Sequence, residues 1–223
     1  MKEVIVFSLG GSLIVPDKVD HNYLSKFKNF IKTLSKKYNI VIVTGGGKTA
    51  REYMKEVKDE KVKSLIGIMT TKLNARLISG LFNITKAIPD TLKEVKNQIE
   101  ENNIVVTGAL GLQPHMTSDG NAAEIAEYIK AKIFINLTNV NGLYDKDPRK
   151  YKDAKLISYV DYGSFIDIIK KIKYEAGQHF VLDQAAAEII TRSKIETAIL
   201  NGKDFNNLNR FFDKKEFIGT IIS

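Results

Sequence analysis

The sequence predicts an α/β fold with a mostly parallel sheet that is covered by helices on both faces. Short β-branched and apolar segments alternate with helical patterns along the chain, which is typical of parallel sheets. Several of these segments end directly in glycine or polar turns. The chain has 223 residues, 43% of them hydrophobic, and no linker divides it. We therefore predict one domain over residues 1–223 with a large core.

The periodicity assigns the individual elements. The predicted strands share dense β-branched or apolar residues: 3–9, 39–44, 104–107, 133–137, 195–200 and 217–222. The predicted helices share apolar residues at helical spacing: 20–37, 48–60, 65–82, 89–101, 122–130, 161–172, 183–193 and 204–211. Asp20 is the expected N-cap of the first helix, and Ser118-Asp119 is expected to cap the helix at 122–130. Leu73, Leu77 and Leu81 fall on one face of the helix at 65–82.

Four turns directly follow predicted strands, at residues 10–12, 45–47, 108–118 and 138–144. One such turn alone is equally consistent with an ordinary strand–helix connection. Because ligands bind outside the C-terminal strand ends of open α/β sheets, we expect the four turns to face one crevice. Together they favour a ligand site.

The turn Gly45-Gly46-Gly47 predicts a phosphate site. A β-branched run ends in the three glycines, and a helical pattern starts at about Lys48. Glycines permit a close backbone approach, and the N-terminus of a helix presents free N–H groups and positive charge. Lys48 and Arg51 add positive charge in the first turn. An anion is the expected occupant.

Several familiar site types are excluded. A Walker loop ending at Gly47-Lys48-Thr49 would need its first glycine at Ile42, and no G-x-G-x-x-G or G-x-S-x-G motif is present. The chain has no cysteine, which excludes disulfides and thiolate metal sites and fits a reducing compartment. The three histidines lack metal-ligand spacing, so no metal site is predicted, although His115 in the irregular loop is a candidate ligand contact.

The net charge of +8 fits scattered lysines on a solvated surface better than a nucleic-acid patch. The sequence has no arginine-rich arm and no aromatic stacking platform of the RNA-binding kind. No apolar stretch approaches the roughly 18 residues needed to span a bilayer, and no signal cleavage site is evident. We expect a cytoplasmic protein with no nucleic-acid or membrane partner, whose positive charge suits a small anion.

A family resemblance rests on motifs that cover almost the whole chain. Their order and spacing are similar to those of the amino acid kinase superfamily: Leu9-Gly10-Gly11-Ser12, Gly45 to Arg51, Thr117 to Ala122, and Thr138 to Pro148. The chain length, Val15-Pro16, and the segment from Ala176-Gly177 to Asp183 with Ala186-Ala187 most resemble archaeal uridylate (UMP) kinases. The resemblance implies an αβα sandwich that transfers the γ-phosphoryl group of ATP to UMP.

The resemblance also implies roles for matching residues. The ATP phosphates would contact Gly11, Ser12, Gly47 and Arg51, and the adenosine end would contact Thr138, Tyr144 and Asp147. The UMP-binding residues would be Gly46, Ser64, Leu112, Gln113, Pro114, His115, Met116, Thr117 and Ser118. Lys48 and Arg51 would supply charge to the reaction, and Asp119 would orient the donors without acting as a base. Mg²⁺ would accompany ATP, and a homohexamer acting in pyrimidine nucleotide biosynthesis is expected.

The chain departs from the family pattern at four positions. Ser8 stands where the superfamily often has lysine, and Ser64 stands where an acidic residue contacts the acceptor ribose. Asn141 replaces an aspartate and Gln184 replaces a common proline. Two alternatives therefore stay open: a kinase of this superfamily with another acceptor, such as isopentenyl phosphate, carbamate, acetylglutamate or aspartate, or a nucleotide- or oxyanion-binding protein without turnover. The absence of histidine between His21 and His115 counts against isopentenyl phosphate.

Overall fold

The computed structural model describes residues 2–111, 116–171 and 181–223. Its strands, in chain order, are β1 Val4–Leu9, β2 Asn39–Thr44, β3 Ile104–Thr107, β4 Ile133–Thr138, β5 Leu143–Tyr144, β6 Leu156–Ile157, β7 Tyr159–Val160, β8 Thr197–Asn201 and β9 Thr220–Ile222. Its helices are α1 Gly11–Ile14, α2 His21–Leu34, α3 Gly47–Lys55, α4 Glu60–Leu81, α5 Leu92–Glu101, α6 Ser118–Tyr128, α7 Tyr162–Lys171, α8 Gln184–Ser193 and α9 Phe205–Phe212.

Within the described residues, seven strands form one sheet in the order β3-β2-β1-β4-β8-β9-β7. All neighbouring pairs are parallel except β8 with β9. The order runs outward from β1 to β3 on one side and from β4 to β8 on the other. The strand order therefore reverses between β1 and β4, and this switch point is where open α/β sheets bind ligands.

Helices cover both faces of the sheet, because the central strands are apolar on both sides. On β1, Val6 belongs to a core shared with α5, α6, α7 and α8. Ile5, Phe7 and Leu9 face the opposite core, which α2, α4 and α9 complete. The predicted αβα sandwich with a mostly parallel sheet is confirmed. The single domain over residues 1–223 stays a prediction.

Several predicted helix boundaries were wrong. The helix predicted at 48–60 ends at Lys55. Asp59 accepts a hydrogen bond from the N–H of Val62 and caps α4, which therefore begins five residues before the predicted start. The helix predicted from residue 89 begins at Leu92, because Thr91 and Glu94 form a capping box. The final strand is shorter than predicted, and α1, β5, β6 and β7 were not predicted.

The leucine face of α4 is only partly buried, and one further helix start needs correction. Leu77 and Leu81 pack against the core, whereas Leu73 is 62% exposed. Helix α6 begins at Ser118 and not near Ala122, because the hydroxyl of Thr117 accepts the N–H of Asp119 and makes Thr117 the N-cap. The Asp119 side chain is thereby left for another contact.

The four turns predicted to share one crevice follow the C-terminal ends of β1, β2, β3 and β4. These strands are consecutive neighbours and parallel, so their ends lie on one edge of the sheet. The β1 turn is tied directly to the end of β4, since the N–H of Gly10 donates to the carbonyl of Leu137 at 3.1 Å. Among the described residues, none of the helices is long and apolar enough to cross a membrane.

Candidate active site

The two glycine turns contact each other through their backbones. A Cβ on Gly11 would lie 2.1 Å from the nitrogen of Gly47, and one on Gly45 would lie 2.6 Å from the nitrogen of Gly11. Gly47 has φ +68°, a conformation that favours glycine. The N–H of Gly45 donates to the carbonyl of Leu9 at 2.9 Å, which holds the turns together. Glycine is thus required on both sides of the contact.

The paired turns leave backbone donors available to an anion. In the described parts of the chain, the N–H groups of Gly11, Ser12, Gly46 and Gly47 bond to no protein acceptor. Gly46 is the N-cap of α3 and offers no side chain to cap it, so the positive end of that helix faces the turn. This arrangement can bind phosphate oxygens with several N–H groups at once.

The two basic residues of α3 lie in different settings. The Lys48 ammonium group forms an ion pair with Asp17, which lies after α1, and this contact raises the pKa of Lys48 and lowers that of Asp17. Arg51 is exposed, and its guanidinium makes no ion pair or hydrogen bond with the described residues. The charge of Arg51 is available to a ligand, whereas Lys48 would first have to exchange partners.

The start of α6 lies beside the glycine turns. A Cβ on Gly45 would be 3.5 Å from the Ser118 hydroxyl oxygen, and the Met116 sulfur occupies the space where a Cβ on Gly120 would lie. The Thr117 hydroxyl donates a hydrogen bond to the carboxylate of Asp183. Three of the predicted acceptor-site residues are therefore brought to the crevice. The other four of that loop, Leu112, Gln113, Pro114 and His115, lie outside the described residues.

Asp119 points from the first turn of α6 into the protein and meets β1. The Ser8 hydroxyl donates to its carboxylate at 2.5 Å. Part of the residue remains accessible to solvent, but its carboxyl group lies deep in the protein. Burial, reinforced by the nearby charge of Asp183, raises the pKa of Asp119 to about 7, and the Ser8 hydrogen bond opposes that shift. The sequence identified Asp119, but its contact with Ser8 was not predicted.

Asp183 is a site residue that sequence reasoning did not select. It caps α8 by accepting the N–H of Ala186 at 2.7 Å, and its other oxygen accepts the Thr117 hydroxyl and the N–H of Gly120. Asn136 of β4 donates to the carbonyl of Val181 and so fixes the chain just before Asp183. A signal was present, since Asp183 directly precedes an alanine-rich helical pattern, but it indicated only an N-cap.

Comparison with known proteins agrees with this geometry. The model of the amino acid kinase family matches residues 3–201. The chain belongs to the amino acid kinase family. It is 38% identical over 227 residues to the uridylate kinase of Thermoplasma volcanium, covering 100% of this chain and 98% of that protein. It is 36% identical to the uridylate kinase of Methanobrevibacter smithii, covering 98% of this chain and 99% of the relative.

Two solved structures share the architecture of this chain. The crystal structure of uridylate kinase from Archaeoglobus fulgidus superposes with a TM-score of 0.86 and 33% identity, covering 100% of both chains. The UMP kinase from Ureaplasma parvum, at 23% identity and a TM-score of 0.80, shares the fold. The similarity to the archaeal structure extends over the whole of both chains.

The residues predicted to contact the adenosine end of ATP lie at the end of β4 and in the segment that follows it. Thr138 ends β4, and its carbonyl accepts the N–H of Gly202 at 2.8 Å. Tyr144 belongs to the β5–β6 ribbon, and Asp147 follows it. The Arg149 backbone N–H and guanidinium both donate to Asp147, and they hold the pKa of that carboxyl below its usual range.

The structure gives a physical reading of one departure from the family pattern. The Asn141 side-chain oxygen accepts a hydrogen bond from the Asn201 amide at 3.0 Å, which joins the ends of β4 and β8. An aspartate at position 141 would accept the same bond, so the replacement is chemically conservative.

Ser64, a second departure from the family pattern, lies exposed on α4, where its hydroxyl donates to the Glu60 carbonyl at 2.9 Å. Its predicted role toward the acceptor stays a prediction.

Proposed function

We propose that this protein is a uridylate kinase, which transfers the γ-phosphoryl group of ATP to UMP and yields ADP and UDP. The observation that carries the proposal is the backbone contact between the Gly11 turn and the Gly45–Gly47 turn beside the start of α6. Two phosphate-binding turns in contact suit two phosphate-bearing substrates. The relatives named above, at 36% and 38% identity over nearly the full chain, support UMP as the acceptor.

In the proposed reaction, the chain acts mainly by positioning and electrostatics. The N–H groups of Gly11, Ser12 and Gly47 bind the phosphates of ATP, and Gly46 faces the phosphate of UMP. Arg51 adds charge-assisted donors where negative charge accumulates on the transferring group. An attacking phosphate oxygen of UMP is already ionised near neutral pH, so no residue needs to remove a proton. Holding the two phosphates in line is then the main contribution of the protein.

Mg²⁺ fits this site as a companion of ATP. Among the described residues, no group of three or more His, Cys, Asp or Glu side chains forms a metal cage. Mg²⁺ keeps several waters and binds nucleotide phosphates in such enzymes. The chain would hold it through the phosphates bound at Gly11, Ser12 and Gly47. When bound, the ion neutralises charge on the phosphate oxygens.

Asp119 acts in this proposal on the geometry of the crevice. Its carboxylate accepts a hydrogen bond from the Ser8 hydroxyl of β1, while Asp119 itself lies in the first turn of α6 next to Ser118. It therefore connects the strand that leads into the first glycine turn with the helix that bears the acceptor-side residues. This one side chain thus joins the donor side of the proposed site to its acceptor side.

The decisive experiment is a coupled assay of ADP release with a panel of acceptors. Purified protein with ATP and Mg²⁺ is expected to turn over with UMP and to show little activity with AMP, isopentenyl phosphate, carbamate, acetylglutamate or aspartate. A clear preference for any of these would move the assignment to another acceptor. Binding of ATP without turnover on every acceptor would instead support a nucleotide-binding protein. The panel matters because Ser64 stands where an acidic residue is expected.

We also propose that the protein is a homo-oligomer, located in the cytoplasm and acting in pyrimidine nucleotide biosynthesis. The oligomer is supported by an apolar stripe on α4, where Val62, Leu65, Met69 and Leu73 are 42%, 42%, 70% and 62% exposed. These positions recur at helical spacing on one face, and a stripe of this kind suits a second copy of the chain. The hexamer stays a prediction. Light scattering of the double variant M69E/L73E should report a smaller assembly than that of the parent protein. An unchanged mass would show that this face of α4 does not form the interface.

A further inference from the structure

Asn121 joins the two ends of the loop that follows β3. It lies on α6 and is 1% exposed. Its side-chain oxygen accepts the backbone N–H of Leu110 at 2.6 Å, and its amide donates to the carbonyl of Thr117 at 3.0 Å. Leu110 precedes the loop and Thr117 ends it. A single buried side chain thus makes both of its polar groups serve one loop.

We propose that Asn121 is a positioning residue that holds the exit of β3 at Leu110 against the start of α6, in the geometry required for UMP binding. This inference rests on the proposed function, because that function assigns Met116, Thr117 and Ser118 to the acceptor. Asn121 is 1% exposed and both of its polar atoms already bond to the backbone, so the proposal gives it no direct contact with UMP. Its action on UMP is therefore indirect, through the position of the Leu110 backbone relative to α6.

A second anchor shows why Asn121 is needed in addition. The Thr71 hydroxyl of α4 accepts the N–H of Ala109 at 2.9 Å and donates to the carbonyl of Ile68 at 2.7 Å. This contact fixes the exit of β3 to α4. It does not fix that exit relative to α6, where the acceptor-side residues begin. The bonds of Asn121 to Leu110 and Thr117 supply that second connection.

Loss of the Asn121 side chain would leave the Leu110 N–H without its partner, whereas the Thr117 carbonyl would still accept the backbone N–H of residue 121 at 3.0 Å. Leu110 is 7% exposed, so its N–H has little access to water as a substitute. The backbone at Leu110 is expected to move to recover this bond. Because Leu110 would no longer be held against α6, the predicted acceptor contacts at the start of that helix would lose a support. A displacement of about 1 Å in a reactant site can cost on the order of 100-fold in rate.

The chain contains a matched control for the experiment. Asn207 on α9 is 6% exposed, and its side chain also makes two backbone hydrogen bonds, accepting the Ile218 N–H and donating to the Ile218 carbonyl, each at 2.7 Å. It lies outside the predicted site. N121A and N207A therefore delete equivalent buried interactions. Both variants should lower the melting temperature, and only N121A should change substrate binding.

Steady-state kinetics separate positioning from general destabilisation. N121A should raise KM for UMP by about tenfold or more while KM for ATP stays within about twofold of the parent. N121D keeps an oxygen that accepts the Leu110 N–H, but its second carboxylate oxygen would face the Thr117 carbonyl oxygen, and the two acceptors would repel each other. N121D should therefore raise KM for UMP as well. N207A should leave both KM values unchanged. Equal rises of both KM values in N121A, or a matching rise in N207A, would overturn the proposal.

Two further measurements keep the result interpretable. S118A tests the acceptor assignment: if it leaves KM for UMP unchanged, the acceptor site is elsewhere, and the proposal falls with that assignment. If S118A raises KM for UMP and N121A does not, only the role of Asn121 is refuted. Hydrogen exchange of the Leu110 amide in the parent protein needs no variant to fold. Slow exchange supports the bond to Asn121, and exchange as fast as an exposed amide overturns it.

Discussion

Gly11 and Gly47 approach so closely that neither can carry a side chain. A Cβ on Gly11 would lie 2.1 Å from the Gly47 nitrogen, and one on Gly47 would lie 2.5 Å from the Gly11 carbonyl oxygen. Both obstacles are backbone atoms, so no rotation of a side chain can relieve them. The contact brings the turns after β1 and β2 into one surface, and the N–H groups on each side bond to no acceptor among the described residues.

The first prediction concerns this contact. G11A should separate the two turns and lower kcat/KM by about 100-fold or more, because the phosphate donors would no longer converge. The melting temperature should also fall. Coupled kinetics and thermal unfolding measure the two effects. G80A is the control, since a Cβ on Gly80 meets nothing within 4 Å; it should keep full activity and increase stability by up to about 1 kcal/mol. Near-parent activity in G11A would contradict the prediction.

The sequence predicted the turns but not their contact. Glycines directly after β-branched runs indicated where the backbone would turn. The order β3-β2-β1-β4 depends on pairing between strands far apart in the chain, which local patterns do not encode. The position of the site at the β1–β4 switch point thus emerged only from the structure, whereas its phosphate chemistry was evident from residues such as Gly45 and Arg51.

The boundary errors have a related cause. Thr117, Ser118 and Asp119 are all residue types that cap helices, so the sequence could not select among them. In the structure Thr117 is the cap, because the Asp119 carboxylate is directed to Ser8, 111 positions earlier in the chain. Asn121 was overlooked for the same reason. A buried asparagine on an alanine-rich helix acquires its meaning from distant backbone groups, which the sequence pattern does not show.

The second prediction tests Arg51 as a contact of the transferred phosphate. R51A should lower kcat/KM by about 100-fold, on the order of 3 kcal/mol, since a charge-assisted donor is lost in the transition state. Stability should hardly change, because Arg51 is exposed and has no ion-pair partner within the described residues. R51K is the matched variant and should recover only part of the activity, because lysine lacks the bidentate fork. An unchanged rate in R51A would exclude this residue from the site.

The third prediction concerns the ion pair between Lys48 and Asp17. If Lys48 assists phosphoryl transfer, K48A should lower kcat by about tenfold or more, whereas D17A, which releases the ammonium group, should keep or increase activity. If Lys48 only holds the loop after α1, both variants should behave alike. Kinetics of the two single variants and of the double variant distinguish these cases. Both side chains are partly exposed, so little change in melting temperature is expected.

The fourth prediction follows from the raised pKa of Asp119. Its carboxyl keeps a proton in the folded protein up to pH about 7, while in the unfolded chain it ionises near its ordinary value. The folded state therefore binds more protons through this window, and the free energy of unfolding should fall as the pH rises across it. D119N removes this pH-dependent contribution to the free energy of unfolding, and its amide keeps an oxygen that can accept the Ser8 hydroxyl. It should be more stable than the parent near pH 8 and similar near pH 4.

The same variant should lose activity by about 100-fold or more near pH 8, because the amide keeps the Ser8 contact but lacks the negative charge that would orient the cationic and N–H donors of the site. Thermal unfolding between about pH 4 and pH 8, with kinetics near pH 8, measures both effects. D161N provides a control in which the effect of pH on stability has the opposite sign. Hydrogen bonds from Ser164 lower the pKa of Asp161, so its stabilisation is present above its ordinary pKa and is lost as the pH falls. D161N should therefore destabilise near pH 8. A parent protein whose stability does not decline between pH 4 and pH 7 relative to D119N would show that the Asp119 carboxyl is not held protonated by its surroundings.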